Sequence, residues 1–204
     1  MKKRIERTIR VSRYVIYKET LVDYKEHLWA FLGSFFGIGL IALSHTSLTT
    51  NDNLFLIGSF GASSVLVYGI IQSPLAQPRN LVGGHLVCAI TGVTIHKFLP
   101  DLVLLAAPLA VSLSIVFMQI TKTLHPPGGA TALIAIIGSD KIKALGYWYV
   151  LSPVFTGAMI LLLVAVIFNN MTANRSYPTD ERYTKYASKI FSRVKRQREL
   201  KSLK

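Results

Sequence analysis

The sequence predicts an all-α membrane protein with six membrane segments, two of them short or broken half-helices, in a possible 3+3 inverted repeat. Three observations predict it. Charge and apolar surface are segregated. Of 204 residues with a formal net charge of +13, residues 1–27 hold 8 Lys+Arg and 4 Asp+Glu, residues 28–170 hold 5 and 3, and residues 171–204 hold 10 and 3. The middle reads as long apolar runs, in a chain that is 51% hydrophobic with a mean hydropathy of +0.42. Two of those runs carry glycine or proline where an uninterrupted helix would otherwise cross. Soluble domains carry about 25% charged residues, so a middle this depleted excludes an ordinary soluble fold, and disorder and collagen with it. The single cysteine, Cys88, can form no intrachain disulfide and leaves the redox compartment open. The basic start lacks a short apolar core and is followed by a run long enough to span, which argues against a secretory signal.

A span needs about 20 apolar residues. The candidates are 28–44, 54–72, 80–96, 102–121, the short run 128–139, and 147–168, the most hydrophobic. Between them lie turn-forming connectors: Thr49-Thr50-Asn51-Asp52-Asn53, Ser73-Pro74, Gln77-Pro78-Arg79-Asn80 and His125-Pro126-Pro127-Gly128-Gly129. Both basic tails (1–27 and 171–204) are expected on the cytoplasmic side of the bilayer, probed by the positive-inside rule, and a bacterial inner membrane is the expected host. Both ends on one side demands an even number of crossings. Six is the preferred count, and four results if two segments are re-entrant.

Two stretches align at an offset of 68: Gly61-Ala62-Ser63-Ser64-Val65-Leu66-Val67 and Gly129-Ala130-Thr131-Ala132-Leu133-Ile134-Ala135. Each has glycine, alanine, a small hydroxyl residue and an aliphatic run. Three crossings per half would invert the second half and place a site near the midplane between halves. Residues 62–72 and 130–139 would each form a helix of roughly 15 Å, half the hydrocarbon core. Such half-helices begin with free backbone N–H groups and a partial positive charge, which suit an anion.

The candidate binding residues follow. Gly61, Ala62, Ser63 and Ser64 form one helix start. His125, Pro126, Pro127, Gly128, Gly129, Ala130 and Thr131 form the other, where two prolines force extended chain and two glycines release it into a helix. Non-helical backbone at membrane depth survives only when buried in protein or lining a cavity; a plain cytoplasmic loop is the competing reading. His85 is the ionisable group best placed inside a span, able to relay a proton, donate to an anion, or simply bond a neighbouring helix. His85 and Cys88 have helical spacing, but two ligands make no metal site, and no cofactor is implied. Gln77, Arg79 and Asn80 are expected at the inner mouth, where Arg79 can pair with an oxyanion or act as a positive-inside anchor. The small-residue stripes Gly33/Gly37, Gly84/Cys88/Gly92 and Ala106/Ala110/Ser114 read as helix packing.

No acidic residue lies inside a proposed span, which argues against a carboxylate relay. An intramembrane aspartyl pair, a two-histidine zinc motif, a Gly-x-Ser-x-Gly elbow and a phosphate-binding loop are all missing, so no enzyme is expected. In the C-terminal tail, Tyr183, Tyr186, Ala187, Ile190, Phe191 and Val194 form an apolar stripe among Lys185, Lys189, Arg193 and Arg196, suited to anionic headgroups rather than to nucleic acid. Tyr14, Tyr17, Leu21, Tyr24 and Leu28 suggest a second interfacial helix. The small-residue faces make a homo-oligomer an expectation.

Two motifs, Ser73-Pro74-Leu75-Ala76-Gln77-Pro78-Arg79-Asn80-Leu81-Val82-Gly83-Gly84-His85 and His125-Pro126-Pro127-Gly128-Gly129-Ala130-Thr131-Ala132-Leu133, resemble the HPP family of integral membrane proteins, over roughly residues 28–170. The resemblance implies a compact multispan domain, usually described with four spans, found in bacteria, cyanobacteria and plants. It also implies transport, since plastid and cyanobacterial members are associated with nitrite. Some bacterial members carry a soluble nucleotide-sensing domain after the membrane part; here a short basic tail stands in that place. The expected function is therefore a transporter or channel for a small monovalent anion. The alternatives are a conduit for a small neutral solute or ammonia, and a membrane sensor or assembly protein acting through its tails. An intramembrane hydrolase using Ser63 or Ser64 with a histidine is the weakest rival.

Overall fold

A computed structural model describes residues 24–44, 50–171 and 175–179. The tail helices expected around Tyr14 and Tyr183 lie outside the described residues, except that Tyr24 and Leu28 fall in the first helix and are exposed. In chain order the elements are α1 (Tyr24–Ser44), α2 (Thr50–Ser64), a π-helical turn (Val65–Gly69), a 3-10 turn (Pro74–Ala76), α3 (Pro78–Phe98), α4 (Val103–Thr121), α5 (Gly128–Ile137), α6 (Asp140–Leu145), a second π-helical segment (Val150–Phe155) and α7 (Thr156–Phe168).

Among the described residues, four helices are long and apolar enough to cross a membrane: Tyr24–Ser44, Pro78–Phe98, Val103–Thr121 and Val150–Phe168. The other two expected segments differ. Residues 54–72 do not form a broken span. A helix begins at Thr50, earlier than expected, and passes without a break at Gly61 through Ser64 into the π turn. Its polar start, with Asp52 in the first turn, lowers its hydropathy. Residues 128–139 give a helix of only 10 residues, or about 15 Å, half the hydrocarbon thickness. The two stretches of the 68-residue offset thus adopt different local structure. One lies at the end of a helix and the other at the start, so the inverted repeat has no geometric counterpart in these elements.

The last span holds a break that the sequence reading does not anticipate. Ser152 leaves helical geometry (φ −139°, ψ 120°) immediately before Pro153, whose ring removes a donor and disfavours helix at the preceding residue. Elsewhere the punctuation follows the sequence. Pro78 opens α3 at its first turn. Lys122, left-handed at φ 56°, closes α4, with the Thr123 N–H donating to the Met118 carbonyl at 2.9 Å. That is the αL ending common at helix C-termini.

Close packing comes from the small-residue stripes. A Cβ on Gly92 would lie 2.5 Å from the Ala132 carbonyl oxygen, one on Gly84 would lie 2.5 Å from the His125 Cβ, and one on Gly128 would lie 2.8 Å from the Cys88 Sγ. Hence α5 sits backbone to backbone on α3. Ala106, Ala110 and Ser114 of α4 are fully buried. Gly33 and Gly37 of α1 receive the Tyr68 ring, 2.8 and 2.7 Å from where their Cβ atoms would be. More of α3 and of Val150–Phe168 is buried than of α1 and α4. The first pair is therefore central and the second peripheral.

The 175–179 segment straps the turn region after the π turn. The Tyr177 hydroxyl donates to the Ala76 carbonyl at 2.7 Å, the Thr179 N–H donates to the Gln77 Oε1 at 2.9 Å, and Arg175 donates to the carbonyls of Tyr68 and Glu26. Asn169 Nδ2 donates to the Val67 carbonyl at 2.8 Å. A π turn misaligns backbone carbonyls, and these side chains supply the donors that burial demands.

Candidate functional site

Five polar side chains from four different parts of the chain meet in the interior. Ser59 and Ser63 stand four residues apart on α2 and so share a face. His85 comes from the first half of α3, His125 from the connector after α4, and Thr131 from the first turns of α5. All five are buried, with exposures of 0–2%.

His85 is held at both ring nitrogens, Nε2 to Ser63 Oγ at 2.8 Å and Nδ1 to Thr131 Oγ1 at 2.7 Å. His125 is held likewise, Nε2 to Ser63 Oγ at 2.9 Å and Nδ1 to the Leu75 carbonyl at 2.8 Å. Ser59 Oγ lies 2.9 Å from Thr131 Oγ1 and 3.1 Å from the Pro127 carbonyl. One further contact, from Ser63 Oγ to the Ser59 carbonyl, is longer at 3.3 Å. The imidazole rings are 5.0 Å apart, and Phe60 packs on His85 with centroids at 4.8 Å.

Both ends of this path are carbonyls, which only accept, so one contact has no hydrogen of its own; assigning it to the longest, Ser59 to Pro127 at 3.1 Å, sets the tautomers. His125 therefore carries its proton on Nδ1, toward Leu75, and its Nε2 accepts from the Ser63 hydroxyl. Ser63, its hydrogen used, accepts from His85, which is thus the Nε2–H tautomer. His85 Nδ1 then accepts from Thr131, and Thr131 accepts from Ser59. The chain of donors runs in one direction from Ser59 to Leu75.

The connector that supplies His125 is anchored from α3. Asn80 Nδ2 donates to the Leu124 carbonyl at 2.7 Å and the Arg79 guanidinium to the Thr121 carbonyl at 2.8 Å. Gln77 Nε2 donates to the Ile71 and Ser73 carbonyls at 2.9 and 3.0 Å. The three residues expected at a mouth thus secure the backbone around the site. Arg79 alone keeps an exposed side chain.

The expected pair of opposed helix N-termini is corrected to one. Gly61 and Ala62 lie in the last turns of α2, Ala62 is exposed, and no atom lies within 4 Å of where a Gly61 Cβ would be. Ser64 is buried but apart from the hydrogen-bonded chain. Gly128 does begin a helix, and it is buried in the protein. Its expected free N–H groups are nevertheless engaged: Gly128, Gly129 and Ala130 donate to the carbonyls of His125, Pro126 and Pro127 at 2.9, 3.1 and 3.1 Å. What remains at this helix start is its partial positive charge and the side-chain cluster. Pro126 is exposed, whereas Pro127 is buried with its carbonyl 3.1 Å from the Ser59 hydroxyl.

Sequence reasoning missed Ser59, whose spacing to Ser63 was the available signal. It also missed Tyr149, whose hydroxyl donates to the Thr131 carbonyl at 2.9 Å, and the Leu75 carbonyl, which no side-chain pattern marks. Tyr149 also lines a small cleft with His96, Lys97 and Lys143, a cationic feature beside the cluster.

A serine between two imidazoles resembles a nucleophile with its base. Here the hydroxyl is fully enclosed and both rings are oriented by neutral groups, whereas hydrolytic triads orient the base with a carboxylate. Among the described residues no group of three or more His, Cys, Asp or Glu could hold a metal ion. The chemistry open to the cluster is hydrogen bonding and proton exchange.

The sequence profile described as the HPP transmembrane region matches residues 19–178. The chain belongs to the HPP transmembrane family. It is similar to two transmembrane proteins of Dictyostelium discoideum, 46% and 45% identical over 160 residues, or 76% of this chain. The HPP chain spans about half the length of these relatives, 51% and 56%. No solved structure matches it. Family membership and the four apolar helices make it an integral membrane protein.

Proposed function

We propose that this HPP protein carries a small monovalent anion, nitrite-like, across the membrane past the cluster at the start of α5. The observation that carries this reading is the pairing of His85 and His125 through the single Ser63 hydroxyl at a buried helix N-terminus. The hydrogen bonds of both rings are to neutral groups, so a charge acquired by this site through protonation of a ring would be positive. The helix terminus adds a partial charge of the same sign. A monovalent anion of a few atoms is the solute such a site favours, and the resemblance to a family with some nitrite-associated members supports the same reading. Lys97 and Lys143 around the cleft beside Tyr149 would raise the local anion concentration.

The test is uptake of nitrite, nitrate, formate and chloride into vesicles containing the full chain. Uptake of at least one above protein-free vesicles is expected, lowered about tenfold or more by Ser63→Ala, an effect of about 1.4 kcal/mol. Entry of none of the four, with methylammonium entering instead, would replace this reading by the neutral-solute one.

A further inference from the structure

The cluster contains more hydrogen-bond contacts than its neutral form has hydrogens to fill. From the Leu75 carbonyl to the Pro127 carbonyl the path runs through His125, Ser63, His85, Thr131 and Ser59, and makes six contacts of 2.7–3.1 Å. Each contact takes one hydrogen. Two neutral imidazoles and three hydroxyls supply one hydrogen each, five in all. Both ends of the path are carbonyls, which supply none. One contact in the neutral state therefore lacks its own hydrogen. The longest of the six, Ser59 to Pro127 at 3.1 Å, is where that vacancy is assigned, and the tautomers above rest on that assignment.

We propose that the cluster is a binding site for one proton, loaded by reversing the hydrogen-bond chain while its heavy atoms stay in place. An incoming proton, borne by water or by the conjugate acid of the anion, ends on His125 Nε2. His125, now with both N–H bonds, keeps its bond to Leu75 and donates to Ser63. Ser63 donates to His85 Nε2, His85 donates from Nδ1 to Thr131, Thr131 donates to Ser59, and Ser59 donates fully to the Pro127 carbonyl. Six contacts then hold six hydrogens and the cluster has gained one positive charge. His85 has exchanged tautomers without changing charge.

The groups around the pair allow this. The nearest titratable side chains are Cys88, one turn beyond His85 on α3 and in contact with Met118 of α4, and Tyr149, which bonds the Thr131 carbonyl. From α2 come Ser59, Ser63 and the Phe60 ring, and from α5 Thr131. Asp52, at the far end of α2, is engaged with Ser139. A mobile proton bound here places its charge beside the start of α5. Resting on the anion reading above, that makes the proton the coupling ion and the loaded cluster the counter-charge for the solute.

Nitrogen-15 histidine spectra of the full chain in lipid bilayers, assigned with His85→Gln and His125→Gln, read the proton site without any transported solute. At neutral pH, His85 is expected as the Nε2–H form and His125 as the Nδ1–H form. On acidification, His125 gains its second N–H and His85 changes to Nδ1–H with the same midpoint. Ser63→Ala uncouples the two events, and Ser63→Thr restores them. Mixed tautomers at neutral pH, a His85 tautomer unmoved as His125 titrates, or no proton uptake while the protein stays folded would each overturn the proposal. Vesicles with a trapped pH dye separate the two readings. Nitrite entry with matching internal acidification, above protein-free vesicles, supports coupling. Nitrite entry without acidification overturns coupling and leaves the anion reading standing. Intact tautomer exchange with no anion entry removes the anion reading and supports the proton site alone.

Discussion

At the scale of single residues, glycines that look alike in sequence have opposite roles. Gly84 faces the Thr123 carbonyl and the His125 Cβ, at 2.8 and 2.5 Å from its would-be Cβ, so a methyl group there must push the connector off α3 and move His125. Gly84→Ala is expected to destabilise by about 1–3 kcal/mol, as overpacking does, measured as a lowered thermal midpoint in detergent. Gly61 has open space where its Cβ would be, and Gly61→Ala should stay within about 0.5 kcal/mol of the parent. An equal loss in both variants would refute the packing described here. The sequence marked both positions, but could not rank them, because glycine spacing shows that close approach is possible and not what approaches. His85, His125, Ser63 and Thr131 were legible because polar groups are scarce in apolar runs and each needs a partner. The bonds among them were not, since residues 22–72 positions apart meet only through helix packing.

At the scale of elements, two ties outside the cluster hold broken segments together. The Ser139 N–H donates to Asp52 Oδ1 at 3.0 Å and its hydroxyl donates to Oδ2, which joins the start of α2 to the residue before α6. A carboxylate accepting two such bonds is worth more than a neutral acceptor. Asp52→Asn, which can accept at only one atom, should cost about 1.5–3 kcal/mol; an unchanged thermal midpoint would show the tie to be unimportant. The second tie is Tyr177. Burial raises its hydroxyl well above the ordinary tyrosine range, so it stays a neutral donor to Ala76 at any physiological pH. Tyr177→Phe is expected to cost about 1 kcal/mol with no pH dependence across that range, and loss of stability only at alkaline pH would contradict the assignment. The four long spans were visible as runs of apolar residues. The continuity of 50–69 and the break at Ser152 were not. Glycine at 61 is compatible with a helix as well as with a helix end, and the break depends on what surrounds Pro153.

At the scale of the whole molecule, apolar side chains fill the core and also cover the outside, where a soluble protein would be polar. Phe31, Phe35, Phe36, Leu40 and Leu43 of α1 are exposed, as are Leu104, Leu105 and Ile120 of α4. The buried seam of α1 is made of Gly33, Gly37 and Ile41. In water such a surface would drive aggregation; in lipid it needs no partner. This orientation predicts how a charge is tolerated. Phe35 lies near the middle of α1 and is 63% exposed, so Phe35→Arg meets lipid at depth and should cost about 2.5–3.5 kcal/mol of membrane insertion, with little effect on packing. The measurement is the membrane-integrated fraction after expression, set against Tyr24→Arg at the exposed end of the same helix, where the side chain can reach the interface. Reduced integration for Phe35→Arg with near-normal integration for Tyr24→Arg is the expected result. Equal integration of the two would mean that the exposed face of α1 does not meet the hydrocarbon core, and that the molecule's outer surface is covered by something other than lipid.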